Sequence, residues 1–170
     1  MFRTTLAAPC LLLLGALTTP LLGAGPLQSP PAAPAPSEQG LTDAQLSQLL
    51  DSMGFAPRKL SKGYLIVIQR DGWTYNMQLV LSPDLTKLGM NANLATSANP
   101  AALPASVWRS LLADNEDVDP SCFYFDRKQN RLFLHRALDN HAITPAFVRQ
   151  QIDNFCQNIK STEADWSAVK

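Results

Sequence analysis

The sequence predicts an α+β domain in which helices flank a five-stranded antiparallel sheet, with the element order αβββαββα. Three observations support this fold class: helical spacing of apolar residues in 43–53, an Asp-Gly turn between two apolar strand patterns, and a helical stripe after Thr144. Of the 170 residues 46% are hydrophobic and 16% are charged, as in one ordinary globular domain. Such a domain buries enough surface to fold without an obligatory metal.

The first predicted helix spans about residues 43–53. Its apolar stripe, at positions i, i+3, i+4 and i+7, is formed by Leu46, Leu49, Leu50 and Met53. Thr42 and Gln45 match a capping box at the start, and Gly54 stands where a helix commonly ends.

Three strands are predicted next. The β-branched run 64–68 precedes the hairpin signal Asp71-Gly72, and residues 74–81 alternate between apolar and polar side chains. Residues 87–94 alternate in the same way, which indicates a third, half-buried strand.

A short second helix is predicted to open at Pro104. Its apolar stripe consists of Val107, Trp108, Leu111 and Leu112. A second hairpin follows, in which the aromatic-rich runs 122–125 and 131–135 flank a polar turn.

The last predicted helix begins with Thr144 as its N-cap and Pro145 in its first turn. Its core-facing stripe is formed by Val148, Ile152, Phe155 and Ile159. Trp166 follows this helix, and the sequence leaves open whether it packs back on the domain or serves as an exposed anchor.

The N-terminal segment predicts export. Residues 1–24 combine Arg3, an apolar run and a small-residue exit, which is typical of a signal peptide. The interrupted run is short for a membrane helix, so we expect a secreted or periplasmic protein with no membrane span after cleavage, and a retained anchor is the alternative. Residues 25–40 are rich in proline and alanine and predict a semi-stiff linker.

Charge and motifs exclude several functions. The 14 basic residues balance the 14 acidic ones, so no basic patch for nucleic acid is expected. The sequence lacks GxSxG, GxGxxG, P-loop and HExxH motifs, so hydrolase, nucleotide-binding and zinc-protease functions lose their usual support, and no cofactor or metal is expected. The acidic run 114–119 departs from the EF-hand pattern and is interpreted as a solvated turn, although an ion-binding or small-ligand sensor using this turn or the sheet face is the alternative function.

Two cysteines follow the predicted signal peptide, Cys122 and Cys156. In an oxidising compartment they could form a disulfide, and the alternative is two buried thiols that pack as small apolar residues. A catalytic cysteine would need His135 or His141 beside it, and nothing in the sequence fixes such a pair.

Packing and turn positions across residues 41–163 carry a resemblance to a known fold. They are Leu41-Thr42, Met53-Gly54-Phe55, Arg70-Asp71-Gly72-Trp73, Leu111 to Asn115, Phe123 to Leu134, Arg136 to Asn140 and Ile143-Thr144-Pro145. These segments resemble the YbjN family and the type III secretion chaperone-like (CesT-type) fold. Residues 164–170 then form a C-terminal tail.

The resemblance implies a non-enzymatic module that binds a protein or peptide partner and forms a homodimer. In related chaperones the middle helix contributes to the dimer, which implies a twofold interface built from Trp108, Leu111 and Leu112.

Overall fold

The computed structural model describes residues 40–169, and the predicted signal peptide (1–24) and linker up to residue 39 lie outside them. The described helices are α1 (Asp43–Ser52), α2 (Ala105–Asp117), α3 (Pro145–Ser161) and α4 (Glu163–Trp166), with a 3-10 turn at Pro100–Ala102. The described strands are β1 (Arg58–Lys59), β2 (Tyr64–Arg70), β3 (Trp73–Leu81), β4 (Lys87–Thr96), β5 (Ser121–Asp126) and β6 (Arg131–Asp139). None of these helices is long and apolar enough to cross a membrane.

The strands form one antiparallel sheet in the order β1-β2-β3-β4-β6-β5. The α+β class is confirmed, but the prediction of five strands is wrong because β1 adds a sixth. This strand consists only of Arg58 and Lys59, which pair with Leu65 and Tyr64. Both residues are exposed, and two polar residues show no alternation of apolar and polar side chains. The sequence therefore contains no pattern that predicts this strand.

All the described helices pack on one face of the sheet, which we call the inner face. The main core joins residues of α1 and α3 to alternate residues of the central strands; among them are Leu46, Leu50, Val148, Ile152, Phe155, Ile66, Met77, Leu79, Met90 and Leu134. The predicted caps explain where the two helices begin. The Thr42 and Gln45 side chains form the capping box of α1, and the Thr144 hydroxyl accepts the Phe147 N–H of α3.

A smaller core cluster lies under α2, which has 13 residues and is longer than predicted. Leu111 packs there with Ala95, Leu132 and Val169. Trp166 packs back on the domain: its indole N–H donates to the Ile159 carbonyl at 2.7 Å, and its ring contacts both clusters.

Asn140 holds the beginning of the described chain against the end of the sheet. This residue follows β6 and is completely buried. Its side-chain oxygen accepts the Leu41 N–H at 3.0 Å, and its amide nitrogen donates to the carbonyls of Leu41 at 2.9 Å and Leu85 at 2.8 Å. The strand end, the start of α1 and the β3–β4 turn are therefore fixed to one another.

Candidate functional site

The sheet face opposite the helices, the outer face, is not covered by any described helix. It is formed by every second residue of the strands: Leu65, Val67, Asn76, Gln78, Val80, Gly89, Asn91, Asn93, Cys122, Tyr124, Phe133, His135 and Ala137. Val67 is 53% exposed and Tyr124 is 42% exposed, although both are large apolar or aromatic residues in mid-strand. An exposed sheet face with such side chains is a candidate surface for a partner.

Aromatic side chains cross one half of the outer face. The rings of Tyr124 and Phe133 stack with their centroids 5.1 Å apart, and His135 meets Tyr124 edge to face at 6.2 Å. The His135 Nδ1 lies 2.8 Å from the Asn91 Oδ1. Burial lowers the pKa of His135, so the imidazole is uncharged at neutral pH and the row is an uncharged aromatic surface.

The two edges of the sheet, at β5 and at β1–β2, differ in what covers them. Beside β5, the Asn115 side chain accepts the Phe123 N–H at 2.6 Å and the Val118 carbonyl accepts the Ser121 N–H at 2.8 Å, so α2 and its following turn occupy this edge. On the other side, β1 pairs only with the first two residues of β2. The backbone of residues 66–70 therefore has no strand neighbour on that side within the described residues, which leaves a short edge for strand addition.

A groove of about 660 Å³ lies at one end of the outer face, and we call it the lysine groove. Its floor includes Val80, Gly89 and Ala137, and its rim carries Lys59, Lys62 and Lys87. The residues that form it come from α1, the β1–β2 turn, the β3–β4 turn and strands β1, β3, β4 and β6. The register of the strands brings these residues together, and no local sequence motif marks the groove.

Two of the rim lysines are in ion pairs. Lys59 pairs with Asp43, and Lys87 pairs with Asp139. Hydrogen bonding to its lysine holds the pKa of each carboxyl below its ordinary value, so both acids are ionised at neutral pH. All four side chains are more than half exposed, and such pairs contribute little to stability.

The predicted interface residues of α2 face different surroundings. Leu111 is 3% exposed and lies within the chain's own core, whereas Leu112 is 70% exposed. Trp108 is half-buried against Phe125, with ring centroids 5.1 Å apart in an edge-to-face contact, beside a surface groove of about 380 Å³. Of these three residues, Trp108 and Leu112 are therefore placed to contact a partner, whereas Leu111 packs in the smaller core against which Trp108 lies.

The two cysteines are free thiols on opposite faces of the sheet. Cys122 lies on the outer face and is exposed, whereas Cys156 of α3 is buried in the main core. The sheet between them explains why the structure has no disulfide here. Burial raises the pKa of Cys156 to about 11, so this thiol is protonated and packs as an apolar group. Cys122 pairs in register with His135 but does not line the lysine groove.

The acidic run 114–119, interpreted from the sequence as a solvated turn, begins within the end of α2 and continues into the turn after it. Burial raises the pKa of Asp114, and the neighbouring carboxyls of Asp165 and Asp117 raise it further. In the part of the chain that the structure describes, no group of three or more His, Cys, Asp or Glu side chains could hold a metal ion. His141, the other candidate ligand, is exposed in the loop after β6.

The sheet order and the single helical layer define the type III secretion chaperone-like fold, and solved structures confirm the predicted resemblance. YbjN from E. coli superimposes with a TM-score of 0.54 at 18% identity, covering 73% of this chain and 93% of that one. A chain of the ExsC–ExsE complex gives 0.52 at 14% identity, with 72% and 90% covered. A chain of the HopA1–SchA chaperone–effector complex gives 0.49 at 10% identity, with 68% and 88% covered. No protein-family model matches the sequence, and no curated protein matches it.

The prediction of a secreted or periplasmic protein is wrong. The structures that share this fold, a chain of the ExsC–ExsE complex and YbjN, give no support for export. The segment on which the export prediction depended, residues 1–24, lies outside the described residues. An apolar run near the N-terminus satisfied the compositional rule for a signal peptide without any support from the fold.

Proposed function

We propose that this chain is a non-enzymatic protein-interaction domain that holds an extended segment of a partner protein. The observation that carries the proposal is the one-sided packing of the helices, which leaves the outer face with the exposed side chains of Val67 and Tyr124. Antiparallel sheets commonly leave one face in water and place polar side chains on it, so an open face that carries exposed Val67 and Tyr124 indicates a surface for contact.

The edge of β2 supplies the second element of this binding mode. An extended segment beside residues 66–70 would form main-chain hydrogen bonds with the unpaired edge, and Val67 would contact its side chains from the outer face. The ExsC–ExsE structure, which shares the fold, is a complex of two proteins, and this supports assigning a protein partner here.

Site-specific photo-crosslinking tests the proposal. A benzophenone amino acid at Val67 is expected to crosslink the full chain to a protein partner in cells, because this side chain is exposed beside the free edge. The matched control carries the same group at Gln150, which is exposed on α3. The crosslinked protein is identified by mass spectrometry and its binding is then measured with purified components. Crosslinking from Gln150 alone, or from neither position, contradicts the proposal.

We also propose that the domain forms a homodimer through Trp108 and Leu112 of α2. Leu112 is the most exposed large apolar residue of the described chain, and it lies one residue from the buried Leu111. Leu112→Glu is therefore expected to yield a folded monomer, because it places a charge in the apolar contact without touching the core. Trp108→Glu is a less clean test, since Trp108 also packs on Phe125.

Sedimentation equilibrium measures this outcome, and circular dichroism checks the fold. Ala146→Glu is the control, because Ala146 is also exposed but lies on α3. The unmodified chain and the control are expected to sediment as dimers. A Leu112→Glu variant that stays dimeric removes α2 from the interface.

A further inference from the structure

The lysine groove combines an apolar floor with a rim of amino groups. Gly89 is buried at its floor, and a Cβ built there would lie 3.3 Å from Val80 Cγ1 and 3.5 Å from His135 Cε1. Since the backbone of Gly89 has no positive φ, its conformation does not require glycine. The absence of a side chain instead keeps the floor between Val80 and His135 open, because even a Cβ there would contact both neighbours.

One of the three rim lysines of this groove has no carboxylate partner among the described residues. Lys59 is paired with Asp43, which also lines the groove, and Lys87 is paired with Asp139, which lies outside the lining. Lys62 is exposed, and it forms no ion pair with any of the residues in 40–169. Because the existing pairs are exposed, Lys59 and Lys87 can also exchange their partners for carboxylates on an incoming chain.

We infer that the lysine groove selects an acidic extended segment of the partner protein, with an apolar side chain seated over Gly89 and carboxylates on the rim lysines. The inference rests on the proposed function and names the chemistry of the segment that it holds. In an extended chain successive side chains point to opposite sides, so one strand presents alternate residues to the floor. Acidic residues two positions before and after the apolar one lie on the same face of the strand and would then reach Lys62 and Lys87.

Fluorescence anisotropy with a defined probe tests the inference on the full chain. The probe is a fluorescein-labelled short peptide in which Glu and Leu alternate at every second position with Ser between them, so that one face of the strand carries both. It is expected to bind with a Kd below about 100 µM at low salt. Lys62→Glu is expected to weaken binding about tenfold, because it reverses the unpaired charge. Gly89→Val is expected to weaken it about tenfold as well, because the new side chain occupies the floor.

The controls separate this site from general charge attraction. Lys128→Glu changes an exposed lysine in the β5–β6 turn and is expected to leave binding unchanged. The same peptide with Lys in place of each Glu is expected not to bind. Equal binding of both peptides, or equal loss in the Lys62→Glu and Lys128→Glu variants, overturns the inference.

A photo-crosslinker at Ala137, an exposed residue that lines the groove, distinguishes other occupants. A crosslink to the acidic peptide supports the inference. Efficient crosslinking to a second copy, or to residues 25–39 of the same chain, overturns it if the peptide does not reduce that crosslinking. A partner captured at Val67 together with no binding of the acidic peptide contradicts only this inference. No capture at Val67 contradicts the proposed function itself.

Discussion

Asn140→Asp is expected to lower the free energy of unfolding by about 3–5 kcal/mol at neutral pH, the cost of leaving an uncompensated charge in the interior. The residue is completely buried, and its amide nitrogen donates to the carbonyls of Leu41 and Leu85. An aspartate has nearly the same size but replaces this double donor by an oxygen. Two carbonyl oxygens would then face a carboxylate, while only the contact with the Leu41 N–H survives.

The pH dependence of this loss identifies its cause. A buried carboxyl beside two carbonyls has a raised pKa, so the folded variant favours the protonated form. The loss is therefore smallest below the ordinary Asp value of about 3.9 and grows as the pH rises above it. Urea unfolding followed by tryptophan fluorescence measures it. Asn93→Asp, at an exposed position on β4, is the control and is expected to change stability little. Equal stability of the two variants would show that the Asn140 amide is not needed.

Local patterns were sufficient to predict the large elements of this fold. The capping box at Thr42, the Asp71-Gly72 turn and the Thr144–Pro145 start each fix a boundary by chemistry within a few residues. The alternation of apolar and polar residues in β3 also predicts correctly which of its side chains, Tyr75, Met77 and Leu79, face the helices. The strand β1 could not be found in this way, because two exposed residues carry no period and their pairing depends on the turn at Gly63.

The surfaces were harder to predict than the elements. The helical period placed Trp108, Leu111 and Leu112 on one apolar stripe, but a stripe does not show which of its residues its own domain covers. The structure separates them, with Leu111 inside and Leu112 outside. The lysine groove could not be predicted from the sequence. Its residues Lys62, Gly89 and Ala137 lie far apart in the chain and come together only through the register of β2, β3, β4 and β6.

Gly63→Ala is expected to lower the free energy of unfolding by about 3 kcal/mol or more, for two additive reasons. Gly63 lies in the β1–β2 turn with φ +69°, a conformation that disfavours any residue with a Cβ. A Cβ here would also overlap the Leu79 carbonyl oxygen and lie 2.9 Å from the Val80 Cα. Both atoms belong to the backbone of β3, so no side chain can rotate away to relieve the contact.

Gly54→Ala separates the two causes, because Gly54 has a similar φ of +83° but a Cβ added there would have no neighbouring atom within 4 Å. It should therefore show only the conformational cost, about 1–2 kcal/mol. Chemical unfolding compares the two variants, and amide exchange at Leu60, whose N–H donates to the Gly63 carbonyl, reports whether β1 detaches. If β1 detaches, Lys59 and Lys62 lose their positions, and the acidic peptide should bind more weakly to Gly63→Ala than to Gly54→Ala. Equal losses of stability in the two variants would mean that β3 yields to the added methyl group.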